Sequence, residues 1–232
     1  MKKIGIIGAM ELEVETLKEK MNVVNIVKRA SMEFYEGTLN DVPVVIVKSG
    51  IAKVNAGICT QILIDTFAVT HIINTGVAGS LNADINICDI VISTDTCYHD
   101  IDATIFGYQK GEVPQIGTLY FKADETLIRL AKEACAAVNP DIQVFTNRIV
   151  SGDQFICDKE VKNEISRTFN AYCTEMEGAA ISQVAYLNNC PFVIIRAISD
   201  KADDSAKMEY PLLEKKAAQL CAGLVEHMIT LI

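Results

Sequence analysis

Short β-rich runs recur along this chain with helix-period segments between them, and that alternation restricts the possible folds more than any other feature. The runs occupy residues 4–7, 42–47, 71–74, 89–93, 148–150 and 192–198. Several do not alternate polar with apolar residues, so the strands they predict are covered on both faces, as in a parallel or mixed sheet. Helical spacing is read over 11–21, 53–67, 124–138, 159–168, 176–187 and 212–229. The first of these is the best marked: glutamates crowd its opening turn, lysines gather near its end, and Val14, Leu17 and Met21 form one stripe. The prediction is an α/β fold, a three-layer sandwich with a central mixed β-sheet flanked by helices.

With 232 residues, half of them hydrophobic, the chain can bury one sizeable core, and no repeat, low-complexity tract or proline-rich linker divides it. A single domain over 1–232 is expected. The net charge of -9 and the lack of any Lys/Arg cluster argue against nucleic acid as a partner and leave small molecules. Eight scattered cysteines form no Cys-x-x-Cys pair and have no neighbouring histidine, so reduced thiols and no metal site are expected. The opening Met1-Lys2-Lys3 and its apolar sequel faintly imitate a signal peptide, but Glu11, Glu13 and Glu15 interrupt it, and no segment approaches membrane-spanning length. A soluble, cytoplasmic protein is the expectation. Residues 96–117 have glycines, aromatics and little periodicity, and read as a long connection available to an interface or a site.

Three acids stand where a carboxylate is costly to desolvate unless it is paired, protonated or used. Glu13 follows the first apolar run and its glycine turn; Glu177 shares a helical stripe with Ile181 and Val184; Asp200 closes the apolar run that begins at Phe192. Open α/β sheets bind ligands beyond the carboxyl ends of their strands, so one shared cleft is predicted. Simpler readings stand beside this one. Glu177 could form a buried ion pair with Arg196, Asp200 could be a strand-end cap, Glu175 could be a helix-start charge, and Phe155 could belong to the core or stack on a heteroaromatic base. Glycine-bearing turns at 8–10, 49–51, 74–79 and 151–153 suggest a pocket floored by backbone. Gly5 and Gly8 do not make a Gly-x-Gly-x-x-Gly fingerprint, no Walker-type Gly-Lys-Ser/Thr occurs, and three glutamates in the first turn would repel an anion. Carboxylates suit the activation of water, which favours hydrolysis over phosphorolysis.

Six segments, in order over almost the whole chain, resemble the 5'-methylthioadenosine/S-adenosylhomocysteine nucleosidase family. They are residues 4–10, 49–56, 73–76, 150–156, the Glu175-Met176-Glu177-Gly178-Ala179-Ala180 motif and the Arg196-Ala197-Ile198-Ser199-Asp200 motif. Glu-Met-Glu is shared across the wider nucleoside phosphorylase superfamily, whereas the acidic first turn with Arg-Ala-Ile-Ser-Asp is more specific to the nucleosidase branch. The resemblance implies a nucleoside phosphorylase-like fold and hydrolysis of the N-glycosidic bond of adenine thionucleosides by water, with no metal or organic cofactor.

It also implies roles. Asp200 would protonate adenine N7, oriented by Ser199; Glu13 would position and activate water; Glu177 would bind ribose hydroxyls, with Met176 against the sugar and Arg196 supporting that region. Phe155 would stack on adenine and the Ile156 backbone would read its edge. Ala9, Met10, Ile51, Val77, Ala78 and Gly79 would line the pocket, with Tyr210 toward the 5'-alkylthio group. A homodimer is implied, its second subunit contributing Phe106, Tyr108 and Pro114. Three positions depart from the family pattern: Val77 stands where many members carry serine, and Ala52 and Ser80 replace familiar glycines. These leave open the ranking among methylthioadenosine, S-adenosylhomocysteine and 5'-deoxyadenosine. Purine or uridine nucleoside phosphorylase, futalosine-type nucleosidase and a non-catalytic nucleoside sensor are the rival readings.

Overall fold

The computed structural model describes residues 2–232, and the side chains of all of these but 207, 209 and 212. The chain opens with β1 (Ile4–Gly8), α1 (Glu11–Lys20), β2 (Asn22–Arg29), β3 (Met32–Leu39), β4 (Val42–Lys48) and α2 (Lys53–Phe67). It continues through β5 (His71–Ser80), β6 (Ile90–Tyr98), β7 (Phe121–Lys122), α3 (Glu125–Val138) and β8 (Val144–Ser151). The last third contains α4 (Lys159–Phe169), β9 (Cys173–Glu175), α5 (Gly178–Leu187), β10 (Phe192–Asp200) and α6 (Ala206–Met228).

All ten strands belong to one mixed sheet, in the order β10-β6-β8-β9-β5-β1-β4-β3-β2 with β7 beside β6. β1 is parallel to both β4 and β5, and β5 is parallel to β10. Because β10 also pairs antiparallel with β6, the strands β5, β9, β8, β6 and β10 close into a ring. Strands with both faces covered need apolar side chains on both, and β1 and β10 are buried along their whole lengths. One core unites β1, β4 and β10 with α1, α3 and α6, and a second lies between the other sheet face and helices α2 and α5. The three-layer α/β arrangement expected from the alternation is what the chain forms.

Local chemistry sets the element ends. Asp124 and Asp158 cap α3 and α4, their carboxylates accepting backbone N–H groups of the first turn. The Ala30-Ser31 and Asn40-Asp41 turns have positive φ at both positions, the geometry that suits the twist of a tight antiparallel hairpin. These turns join β2, β3 and β4, of which only β4 was anticipated. β2 is an exposed edge, so burial imposes no apolar run on it. Other boundaries differ from expectation: β5 runs on to Ser80 rather than ending at 74, β6 to Tyr98 rather than 93, β8 begins at Val144 rather than 148, and α6 at Ala206 rather than 212, with Pro211 inside it.

Candidate active site

Parallel strands β1, β5 and β10 end at the same side of the sheet, and there they converge on a cavity of about 350 Å³. That size is within the range usual for small-molecule sites. The β1 end supplies Ala9, Met10 and Glu13; the β5 end supplies Val77, Ala78 and Gly79; the β10 end supplies Ser199 and Asp200. The β9–α5 junction adds Met176 and Glu177, and Ile51, Phe155 and Tyr210 also line the wall. Thus Glu13, Glu177 and Asp200, far apart in the chain, face one hollow.

Glu13 is 2 % exposed, and its carboxylate is held by backbone. Oε2 accepts from the amides of Ala9 at 2.6 Å and Met10 at 3.0 Å, and Oε1 accepts from Val77 at 3.1 Å. This fixes the start of α1 to both β1 and β5. A carboxylate has about four acceptor positions, so one remains for a ligand or water. Burial raises the Glu13 pKa above its ordinary value, opposed by the Arg196 charge and the three amides.

The Glu175–Glu177 segment is organised around Arg196, which is fully buried in β10. Its Nη2 donates to Glu175 Oε2 and, at 2.6 Å, to Asn74 Oδ1, and lies 3.6 Å from Glu177 Oε2. Asn74 in turn donates to the Ile7 carbonyl at 2.8 Å, tying β5 to the end of β1. The Glu175 carboxylate also accepts from Ser151 Oγ and from the amides of Glu177 and Gly178 at 2.8–3.1 Å. It therefore serves the helix-start role read from the sequence while anchoring the arginine. Burial and the Glu175 charge push the Glu177 pKa well up, with Arg196 pulling the other way.

Glu177 itself is not on a helical stripe, as the spacing to Ile181 and Val184 suggested. It precedes α5 as its N-cap residue, because Glu175 takes up the first helical amides and stops the helix at Gly178. It is nevertheless only 5 % exposed and points to the cavity. Its Oε1 accepts from the Ala52 amide at 2.8 Å. Ala52 has φ 80° and ψ 165°, a region nearly reserved for glycine, at a cost on the order of 1–3 kcal/mol.

Asp200 is 2 % exposed at the last position of β10. Its register with β5 shifts between Ile198 and Asp200, a bulge that places Asp200 opposite Gly79. Oδ2 accepts from Ser199 Oγ at 2.9 Å and Oδ1 from the Ala202 amide at 2.8 Å. A Cβ on residue 79 would stand 2.9 Å from Oδ1, so glycine there leaves the acid its place. Gly76 has a similar part: a Cβ would collide with both Arg196 Nη1 and Glu13 Oε1.

The remaining predicted residues fall outside the cavity wall. Ile156 lines a hollow of about 30 Å³ next to it, shared with Phe155 and Asp200. Arg196 stands behind the wall rather than in it. Phe106, Tyr108 and Pro114 lie on the 99–120 connection and do not enter this cavity, and Phe106 is 79 % exposed. Thr174 and Glu175 line the cavity without having been nominated as site residues. The Glu-Met-Glu motif contained a signal for Glu175, whereas three-residue β9 is too short for a pattern to reveal Thr174.

Residues 3–230 match the phosphorylase superfamily. The chain is 45 % identical over 226 residues to the 5'-methylthioadenosine/S-adenosylhomocysteine nucleosidase of Halalkalibacterium halodurans, covering 97 % of this chain and 96 % of that one. Among solved structures, the Neisseria meningitidis nucleosidase of that name in complex with methylthio-immucillin-A superposes with a TM-score of 0.96, at 40 % identity and with both chains fully covered. Futalosine hydrolase of Helicobacter pylori superposes with a TM-score of 0.94 at 31 % identity, covering 100 % of this chain and 98 % of that one. The chain belongs to the phosphorylase superfamily and, within it, to the 5'-methylthioadenosine/S-adenosylhomocysteine nucleosidase family.

Proposed function

We propose that the protein hydrolyses the N-glycosidic bond of 5'-methylthioadenosine and S-adenosylhomocysteine, and also of 5'-deoxyadenosine, releasing adenine and the 5-substituted ribose. The observation that carries this is the convergence of Glu13, Glu177 and Asp200 on one largely apolar cavity. Breaking the sugar–base bond develops positive charge on the ribose and negative charge on the base, so carboxylates at the sugar and a proton donor at the base stabilise opposite ends.

In this reading Asp200, held by Ser199 and the Ala202 amide, delivers a proton to adenine N7 as the C1'–N9 bond breaks. Glu13 directs its remaining acceptor position at a water whose oxygen bonds to C1', and takes up the water's proton. Its raised pKa suits a base working nearer neutral pH. Glu177 accepts from ribose hydroxyls, Met176 packs on the sugar, and Phe155 stacks on adenine beside the Ile156 backbone. Arg196, paired with Glu175 and 3.6 Å from Glu177 Oε2, fixes the two carboxyl groups behind the sugar. Tyr210, whose ring meets Phe155 edge-on at 5.4 Å between centroids, closes the side proposed for the 5' substituent. The reaction consumes water and calls for no metal or organic cofactor.

We further infer a homodimer in the cytoplasm, in which Phe106, Tyr108 and Pro114 from the second subunit complete the 5' subsite. The exposure of Ile105 and Phe106 together supports an interface there. Among the described residues no helix is long and apolar enough to cross a membrane. Incubation with methylthioadenosine in phosphate-free buffer should release adenine and free methylthioribose. Strict dependence on phosphate, with a ribose 1-phosphate product, would assign a phosphorylase instead, and preferential cleavage of futalosine would assign the other hydrolase.

A further inference from the structure

We propose that Lys53 is a positioning residue for Glu177, acting through the strained backbone of Ala52. The inference rests on Glu177 holding the ribose, as proposed above. The Ala52 N–H is the only backbone donor bonded to Glu177's carboxylate among the described residues, and it reaches Oε1 only because residue 52 has φ 80° and ψ 165°. An alanine left to itself would turn to negative φ, carrying that amide away from the carboxylate. Something adjacent must hold it.

Lys53 is tied at both ends. Its backbone N–H donates to Asp153 Oδ1 at 2.9 Å, and its ammonium donates to Asp100 Oδ2 at 2.6 Å with Asp153 Oδ2 at 3.6 Å. The same Asp100 oxygen accepts from the Asp153 amide at 2.9 Å, so three loops meet at one lysine. The Lys53 ammonium also lies 5.4 Å from the centre of the Tyr98 ring. The Lys53 and Asp100 side chains are mostly covered, at 21 % and 16 % exposure, which sets the pair apart from a freely solvated surface bridge. On the upstream side Asn55 Nδ2 donates to the Ile51 carbonyl at 2.6 Å. Residue 52 is thus gripped from both neighbours, and its amide has one direction left. Asp153 lies in the loop that presents Phe155, and its bonds to the Lys53 backbone N–H and to Asp100 do not involve the lysine side chain, so the base end keeps its anchors when only that side chain is changed.

A glycine at 52 would adopt this conformation without help. This gives the proposal a signature that general damage does not share: replacing Ala52 by glycine should make Lys53 dispensable. Lys53→Met keeps the aliphatic stem and removes the charge. It should raise KM for methylthioadenosine about tenfold while the Kd for adenine alone, which lacks the ribose, stays within about twofold; tenfold corresponds to about 1.4 kcal/mol, the scale of one hydrogen bond to a charged group. Lys53→Arg should stay near wild type. Ala52→Gly introduced into Lys53→Met should restore most of the lost affinity. An unchanged KM in a Lys53→Met protein would overturn the proposal, as would failure of Ala52→Gly to rescue it. Equal loss of adenine binding would also overturn it, by showing general damage. If Lys53→Met does not fold, Asp100→Asn with and without Ala52→Gly makes the same comparison. Lack of nucleoside cleavage by the unmodified protein would instead reject the hydrolase reading, a separate outcome.

Discussion

Gly76→Ala places a single methyl group between the two charges that the proposed mechanism needs fixed. The added Cβ would lie 2.9 Å from the Glu13 carboxyl carbon, where ordinary contact begins at 3.4 Å, and closer still to Arg196 Nη1. Glu13 must then retreat by more than about 0.5 Å (3.4 − 2.9), and by about 1 Å at Oε1, which lies nearer the new methyl group than its carboxyl carbon does. It cannot do so freely, because its oxygens are pinned by the Ala9, Met10 and Val77 amides, and the 3.1 Å bond to Val77 has little room to lengthen. Arg196 is equally confined by Glu175 and Asn74. Overpacking of this kind costs about 1–3 kcal/mol of stability, and each kcal/mol lowers Tm by about 2–4 °C in a chain of this size. Misplacing a reacting group by about 1 Å can cost on the order of a hundredfold in rate. Adenine release in phosphate-free buffer should therefore fall about a hundredfold, with a lowered but cooperative thermal transition. Affinity for adenine, which the proposed mechanism seats at the Asp200 end, should be nearly unchanged. A Gly76→Ala protein with wild-type kcat would refute the idea that Glu13 and Arg196 act from these positions.

Asp200→Asn and Glu13→Gln should each remove most turnover, by about a hundredfold to ten-thousandfold, while circular dichroism shows a folded protein; near-full activity of either rejects its role. Arg196→Met leaves buried carboxylates without their cation and should cost about 3–5 kcal/mol at neutral pH. Arg196 lowers the pKa of Glu13 and Glu177, so its loss raises both further above the ordinary 4.5. Below that value the carboxyls are protonated in folded and unfolded chains alike, and the relative stability present there is lost as pH rises toward the folded-state pKa. The Tm deficit of Arg196→Met should thus widen as pH rises past about 8, the folded-state pKa of Glu177 with Arg196 in place, and a deficit that stays constant through that range would contradict the charge argument. Phe106→Ala should weaken binding of substrates with long 5' substituents more than that of 5'-deoxyadenosine; a monomer with unchanged preference would reject the shared subsite.

The strands that carry the site were legible because burial on both faces forces unbroken apolar runs, as at Ile4–Gly8 and Phe192–Asp200. Their carboxyl ends could then be read as a ligand edge, and the costly acids at 13 and 200 fell there. The β2–β3 hairpin escaped notice for the opposite reason: an exposed edge strand places no such demand on its residues. Periodicity brought Glu177 to the cavity by an incorrect route. A helix-face pattern cannot register that Glu175, two residues upstream, captures the first amides and makes the helix begin only at Gly178. Nor could spacing find Thr174 or the Lys53 cluster, since both depend on pairings made across 47 to 100 residues of chain in the latter case.

The closed ring of strands has a kinetic side. Residues 195–197 of β10 are flanked by β5 on one side and β6 on the other, so their amides cannot be freed by fraying at a sheet edge. Exchange with deuterated solvent there would require opening the ring, whereas the outer strand β2 can detach while the rest stays intact. The proposed proton donor would then stay in register through the small openings that a protein undergoes continually, and its geometry would be among the last to be lost on heating.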